Sequence, residues 1–411
     1  MVSIHLPKYS PKSGSITQPG CYKRHYKDHP SMPRMISMKA KNRSCMYRIL
    51  VALGILLGLC LFLSIISSLS NQNLPIEDTS DHLNAIDKAR FSEAMQLKSR
   101  LGDQVWQGWG SAKIPTIVWN RSYEFLFNYD GGTPSGWSKI TGDNINGEPY
   151  FRRVADEPQN FAVRVGDTWT ASMATKQTTD VFLIQAFQET LPSPIKQIFP
   201  YHFLIQPSET QMGGLLHETF HVYQYQVAPA RMAKAESIHK LGDDYESSSE
   251  SFNAEWKKES ALLADALDAK TQEEKIDLVY QFLTARDTRR KDHQLSTELI
   301  DYERWLEWEE GTAKYIEVAI LKKAGESKNY QPFSEMENDP DFDQYQKINS
   351  RWSQELFQLR YQTSSGETQF YTTGMAQAFL LDDLMPDWKE KYWEEGVFLE
   401  DLLRLAIAQS H

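Results

Sequence analysis

Between Ile49 and Leu69 the chain runs for 21 residues without a charged side chain (ILVALGILLGLCLFLSIISSL). At ~1.5 Å per residue a helix of that length rises about 30 Å, the thickness of a bilayer's hydrocarbon core. Its only polar side chains are Cys60, Ser64, Ser67 and Ser68, whereas a long helix in a soluble domain carries a polar face. The run predicts a transmembrane helix over 49–69. Lys39, Lys41, Arg43 and Arg48 precede it, and Glu77, Asp78 and Asp81 follow. The positive-inside rule then predicts a single pass, with a cytoplasmic N-terminus and an extracytoplasmic C-terminal domain. Translation from Met46 followed by cleavage is the competing expectation and would give a secreted product. Residues 1–48 hold ten basic residues, one acid (Asp28) and five prolines. They show no apolar period and are expected to form a disordered basic tail.

Beyond the run the balance of charge reverses, with 34 lysines and arginines against 54 acids in residues 70–411. That argues against nucleic acid as a partner, because phosphate binding needs a basic footprint. All three cysteines (Cys21, Cys45, Cys60) lie in the first 60 residues, so the region after them contains no disulfide. Apolar positions recur at helical spacing from Leu83 to Val105 and predict a lead-in helix ending near Gly102. Strands are expected at 114–119, 123–127, 161–165 and 168–173, the last two joined by Gly166-Asp167 as a hairpin, with a loop from Asp130 to Gly147. After about residue 180 the texture becomes helical, near 208–226, 250–269, 272–292, 297–324, 342–361, 372–384 and 391–408. The fold class expected is α+β: a transmembrane helix (49–69), a lead-in helix with a β-rich module (70–179), then a mainly helical unit (180–411).

Within the first of those later helices the chain reads Gly213-Gly214-Leu215-Leu216-His217-Glu218-Thr219-Phe220-His221. Residues four apart on a helix lie about 40° apart around the axis and ~6 Å apart along it, so both imidazoles can meet one ion. Glu218 can then reach a water beside that ion. This is the HExxH pattern of zinc peptidases. A catalytic zinc takes three protein ligands and keeps one position open. Downstream stands Glu307-Trp308-Glu309-Glu310-Gly311-Thr312-Ala313-Lys314-Tyr315-Ile316-Glu317.

The segment EGTAKYIE resembles the E-G-x-A-x-Y segment of gluzincin metallopeptidases, in which the glutamate is the third zinc ligand on a second helix. The resemblance implies a zincin-like unit in which Glu310 completes a zinc site with His217 and His221, and in which Gly311 and Ala313 allow close helix packing beside the metal. Glu310 follows His221 by 89 positions, a span that reads as two extra helices. No Gly-x-Met-x-Asn segment is present, so the narrower aminopeptidase assignment is not implied. Glu303, Glu307 and Glu317 lie at helical spacings from Glu310. Glu307 is the second choice of ligand, and Glu309 is expected to face elsewhere.

These parts imply a membrane-anchored zinc metallopeptidase acting on peptide or protein substrates, with Glu218 as general base. Tyr371 is the candidate for stabilising the oxyanion, against a packing role. Tyr223 and Tyr315 are expected to pack, and His202 to be structural. Trp305 and Trp308 are expected to pack the glutamate helix against the histidine helix. Arg286, Arg289, Arg290 and Lys291 read as a solvated helix end. The rival readings are a non-catalytic tethered module that keeps a zinc site, and a zinc hydrolase of non-peptide substrates.

Overall fold

The computed structural model describes residues 39–245, 250–361 and 366–409. The tail expected over 1–48 falls largely outside them. Helix α1 (Lys39–Ser70) and helix α2 (Ala85–Val105) precede six short strands, β1 (Thr116–Trp119), β2 (Tyr123–Phe127), β3 (Ser138–Lys139), β4 (Phe151–Val154), β5 (Phe161–Val165) and β6 (Thr168–Ala174). Helices follow: α3 (Lys176–Thr190), α4 (Ile195–Ile198), α5 (Ser208–Val227), α6 (Pro229–Ile238), α7 (Glu250–Asp268), α8 (Gln272–Asp292) and α9 (Thr297–Leu306). A π turn (Glu307–Gly311) carries α9 directly into α10 (Thr312–Glu326). The chain ends with α11 (Ile348–Tyr361), α12 (Thr368–Leu384), α13 (Trp388–Lys391) and α14 (Leu399–Gln409).

The chain divides into two units, one of residues 75–187 with 203–411 and the other of residues 1–74 with 188–202. In the smaller unit the apolar run is part of a 32-residue helix. Its first turns are basic, and its C-terminal end is tied down where Ser67 Oγ and Asn71 Nδ2 donate to the Phe199 carbonyl at 3.1 and 2.9 Å. Among the described residues no helix is long and apolar enough to cross a membrane. This overturns the transmembrane helix over 49–69, and with it the single-pass topology and the cytoplasmic and extracytoplasmic sides assigned from it.

The larger unit is mainly helical with one small sheet, not a β module followed by a helical one. Strand order is β3-β4-β2-β1-β6-β5, with β1 and β6 parallel and the other pairs antiparallel. The two-residue period of each strand divides the side chains between two cores. Val118, Phe125, Phe127, Ala162 and Ala171 face the helices. Ile117, Trp119, Leu126 and Val165 face a smaller cluster with Trp137 and Phe151, to which Phe182 of α3 adds. Strands β3 and β4 occupy or follow a stretch that reads as loop. The helices α3 and α6 were not foreseen as separate elements.

Helix starts follow local chemistry: the side chains of Asn84, Thr271 and Ser296 accept from backbone N–H groups three residues on, capping α2, α8 and α9. Along α8, Val279, Phe282 and Leu283 form a buried stripe, and Arg286, Arg289 and Arg290 continue it. These arginines are buried, not a solvated helix end. Arg286 donates to both oxygens of Glu307 at 2.8 and 2.7 Å and also reaches Glu259 and Glu400. Arg289 binds Glu303 and Glu259, and Arg290 binds Glu303 and Glu400. Arg304 adds a fourth guanidinium, 3.2 Å from Glu400. Four arginines thus face four glutamates across α7, α8, α9, the π turn and α14.

Removing one member strands its partners in a dry interior. Arg286→Ala is therefore expected to lower stability by about 3–5 kcal/mol, measured by urea unfolding. A loss under 1 kcal/mol would show that the network does not hold these helices.

Candidate metal centre

Helix α5 lies between the sheet and α10, and its two glycines set the spacing. A Cβ on Gly214 would meet the Met173 side chain at 2.5 Å, and one on Gly213 would meet Glu317 Cγ at 2.9 Å. On the far side the π turn crosses α12 at Gly311 and Gly374, where a Cβ on Gly311 would come within 2.5 Å of the Gly374 Cα. Small residues at both crossings bring α5, the π turn and α12 together. The edge strand β5 flanks them, with the Phe161 ring centroid 5.1 Å from that of His221.

His217 Nε2, His221 Nε2 and a Glu310 carboxylate oxygen converge. His217 is 3.1 Å from Glu310 Oε2, His221 is 3.3 Å from the same oxygen, and the two Nε2 atoms are 3.0 Å apart. Four-coordinate zinc with bonds of about 2.0–2.1 Å holds its ligand atoms about 3.3 Å from one another, so these three donors match one face of that tetrahedron. All three residues are buried. Facing Nε2 atoms cannot both donate or both accept between themselves, whereas two imidazole lone pairs and a carboxylate oxygen suit a shared cation.

Surrounding groups orient these donors. Gln224 Oε1 accepts from His221 Nδ1–H at 2.8 Å, which holds the ring with Nε2 facing the cluster. Gln224 Nε2 donates to the Tyr392 hydroxyl at 2.7 Å and to the Glu309 carbonyl at 3.2 Å, joining α5 to the π turn. Glu317 Oε2 lies 3.9 Å from His217 Nδ1, and Glu317 is itself held by Lys314 and Arg351. Beyond Glu317 opens a cavity of about 440 Å³ that includes Glu209, Lys314, Leu321 and Arg351 in its walls. Glu317 stands between this cavity and His217 Nδ1.

Burial pushes Glu310 up, but the charges of His221 and His217 and their hydrogen bonds overcome this and hold it well below the usual carboxylate range. Burial works against protonation of His221, yet Glu310, Glu218 and Glu309 raise it to about 9. Glu218 is raised, chiefly by burial, and its Oε2 has no hydrogen-bond partner. Tyr371 stacks on His217 at 5.7 Å with the planes 9° apart. Burial, and then the charge of Glu310 that accepts its hydrogen bond, raise its hydroxyl well above the ordinary tyrosine range, so it stays a donor.

His217, Glu218, His221, Glu310 and Tyr371 are thus brought together, and other candidates are not. Glu307 is bound to Arg286 and Thr373, and Glu303 to Arg289 and Arg290. Tyr315 donates to Asp382, and Tyr223 to the Gln107 carbonyl. His202 is exposed and belongs to the smaller unit. Trp308 stacks on Tyr392 at 5.0 Å, and Trp305 packs edge-on against Phe398. Among the described residues three α-helices, not two, lie between α5 and α9. Glu309 does not face away: its Oε2 is 3.0 Å from His239 Nε2. A π turn has more residues per turn than the 3.6 of an α-helix, so consecutive side chains diverge less, and a carboxylate oxygen of Glu309 lies within 4.8 Å of one of Glu310. Gln224 was missed although it stands three residues after His221. His239 carried no local signal.

Glu310→Ala is expected to weaken zinc binding by at least the 10–100-fold typical of losing an outer partner, whereas Glu307→Ala should lower stability with smaller effect on affinity. Competition with a chelating zinc indicator measures both, and the reverse ranking would move the third ligand to Glu307. No protein-family model, curated protein or solved structure matches this chain.

Proposed function

We propose that this protein is a zinc-dependent metallopeptidase of gluzincin type, hydrolysing peptide bonds in peptide or protein substrates. The observation that carries the reading is the unpartnered Glu218 Oε2 beside three convergent donors. A buried carboxylate oxygen without a donor is costly to maintain unless it has a task. The imidazole pair and the carboxylate suit zinc, with His217, His221 and Glu310 as its holders. When bound, zinc supplies Lewis acidity toward a carbonyl and toward water.

The chain's own groups supply the rest. Glu218 takes the proton of the attacking water as the new C–O bond forms, and passes it to the amine nitrogen as the C–N bond breaks. Burial raises its proton affinity and suits it to carrying that proton between the two steps. Tyr371, kept as a hydroxyl, donates to the substrate oxygen where negative charge develops. Gln224 holds the His221 ring throughout, and Glu310 keeps its charge.

Glu218→Gln in zinc-loaded full-length protein is expected to leave metal content unchanged and to reduce kcat by about 10²–10⁴-fold, read by mass spectrometry on a mixed peptide library. Undiminished cleavage by this variant, or no peptide cleaved by the unaltered zinc-loaded protein, would overturn the reading.

A further inference from the structure

Beside the cluster of His217, His221 and Glu310 lies a second one, built from the same π turn. His239, directly after α6, brings Nε2 to within 3.0 Å of Glu309 Oε2. Donor atoms of His239, Glu309 and Glu310 all lie within 4.8 Å of one another. Glu309 is completely buried, and its second oxygen, Oε1, has no hydrogen-bond partner. His239 is 30% exposed, which opens a route from solvent to the group. Its other nitrogen, Nδ1, is 3.3 Å from Glu367, which also accepts from the Tyr302 hydroxyl at 3.1 Å. A carboxylate on the far nitrogen is the arrangement that orients a metal-binding imidazole.

We propose that His239, Glu309 and Glu310 form a second divalent transition-metal site that shares the Glu310 carboxylate with His217 and His221. Two adjacent carboxylates on one turn both enter a buried space, and a histidine on each side faces one of them. One cation at the histidine pair leaves the Glu309 oxygen unsatisfied. A second cation satisfies it, and a carboxylate shared between two ions is the usual bridge in paired metal sites. One imidazole with two carboxylates suits zinc or manganese. The inference rests on the zinc reading only in sharing Glu310.

Zinc content of the full-length protein, equilibrated with excess zinc and desalted, tests it. Two zinc ions per chain are expected, falling to one in His239→Ala and in Glu309→Gln, the latter preserving side-chain shape as a control for folding by circular dichroism. In the cobalt(II)-loaded protein, spin coupling through the shared carboxylate is expected at full loading and should vanish in His239→Ala. One zinc per chain, unaffected by His239→Ala and lost in His221→Ala, would overturn the second site and leave the first intact. One zinc lost in His239→Ala but kept in His221→Ala would uphold the second site and defeat the first. No zinc bound would defeat both.

Discussion

The guanidinium of Arg286, fully buried, grips both oxygens of Glu307 and thereby fixes the rotation of the helix that runs from α9 into α10. Glu303, one turn earlier, is held in the same way by Arg289 and Arg290. A charge in the interior tolerates few positions, because a guanidinium without its carboxylate loses far more than a misplaced leucine would. The helix is therefore anchored on the α8 side before anything is asked of it on the α5 side. Glu310 must nevertheless reach the histidines of α5, and the π turn over Glu307–Gly311 reconciles the two demands. The wider turn gives Glu307 to the arginines and Glu309 and Glu310 to the opposite face.

The centre gathers more negative charge than the histidines alone balance. Glu309 and Glu310 are buried, Glu218 is half-buried with its Oε2 shielded from solvent, and their fates differ. Glu310 has two imidazoles within 3.3 Å and is held ionised. Glu218 and Glu309 are raised by burial, and each has an oxygen that nothing satisfies. Unpaired buried acceptors are scarce in folded proteins, and two of them beside a cluster of imidazoles is an arrangement that cations and reacting protons would complete. Close helix crossings at Gly311 and Gly374 make the space small enough for these groups to act on one another.

Elements with strong periodicity were readable one by one. The strands at 123–127 and 161–165 and the helices at 208–227, 250–268 and 272–292 lie where alternation and 3.6-residue spacing place them. The residues His217, Glu218 and His221 were readable for the same reason, since their relation is set within one turn of helix. The short strands β3 and β4 were not, because strand pairing supplies a partner that the segment itself does not reveal. Arg286, Arg289 and Arg290 read as a solvated end although they extend the stripe of Val279 and Phe282, since charge in a helix's last turn usually marks exposure. The apolar run misled in the opposite direction: lack of charge suggested a span, while among the described residues no helix is long and apolar enough to cross a membrane, and the helix that contains the run ends in polar bonds to Phe199.

The order of residues along α5 by itself determined that two imidazoles and a carboxylate would share one neighbourhood, because helical rise and rotation are local properties of the backbone. Glu310 was indicated only by the resemblance of EGTAKYIE to a gluzincin segment, with Glu307 as second choice. Which carboxylate meets the histidines, that Glu309 turns inward to His239, and that Gln224 ties His221 to the π turn were decided only by tertiary structure. Those relations span from 70 to 93 positions of chain. They depend on the arginine anchor and the glycine crossings, which no local pattern encodes, because the energy of a buried charge is set by partners that only the folded chain brings to it.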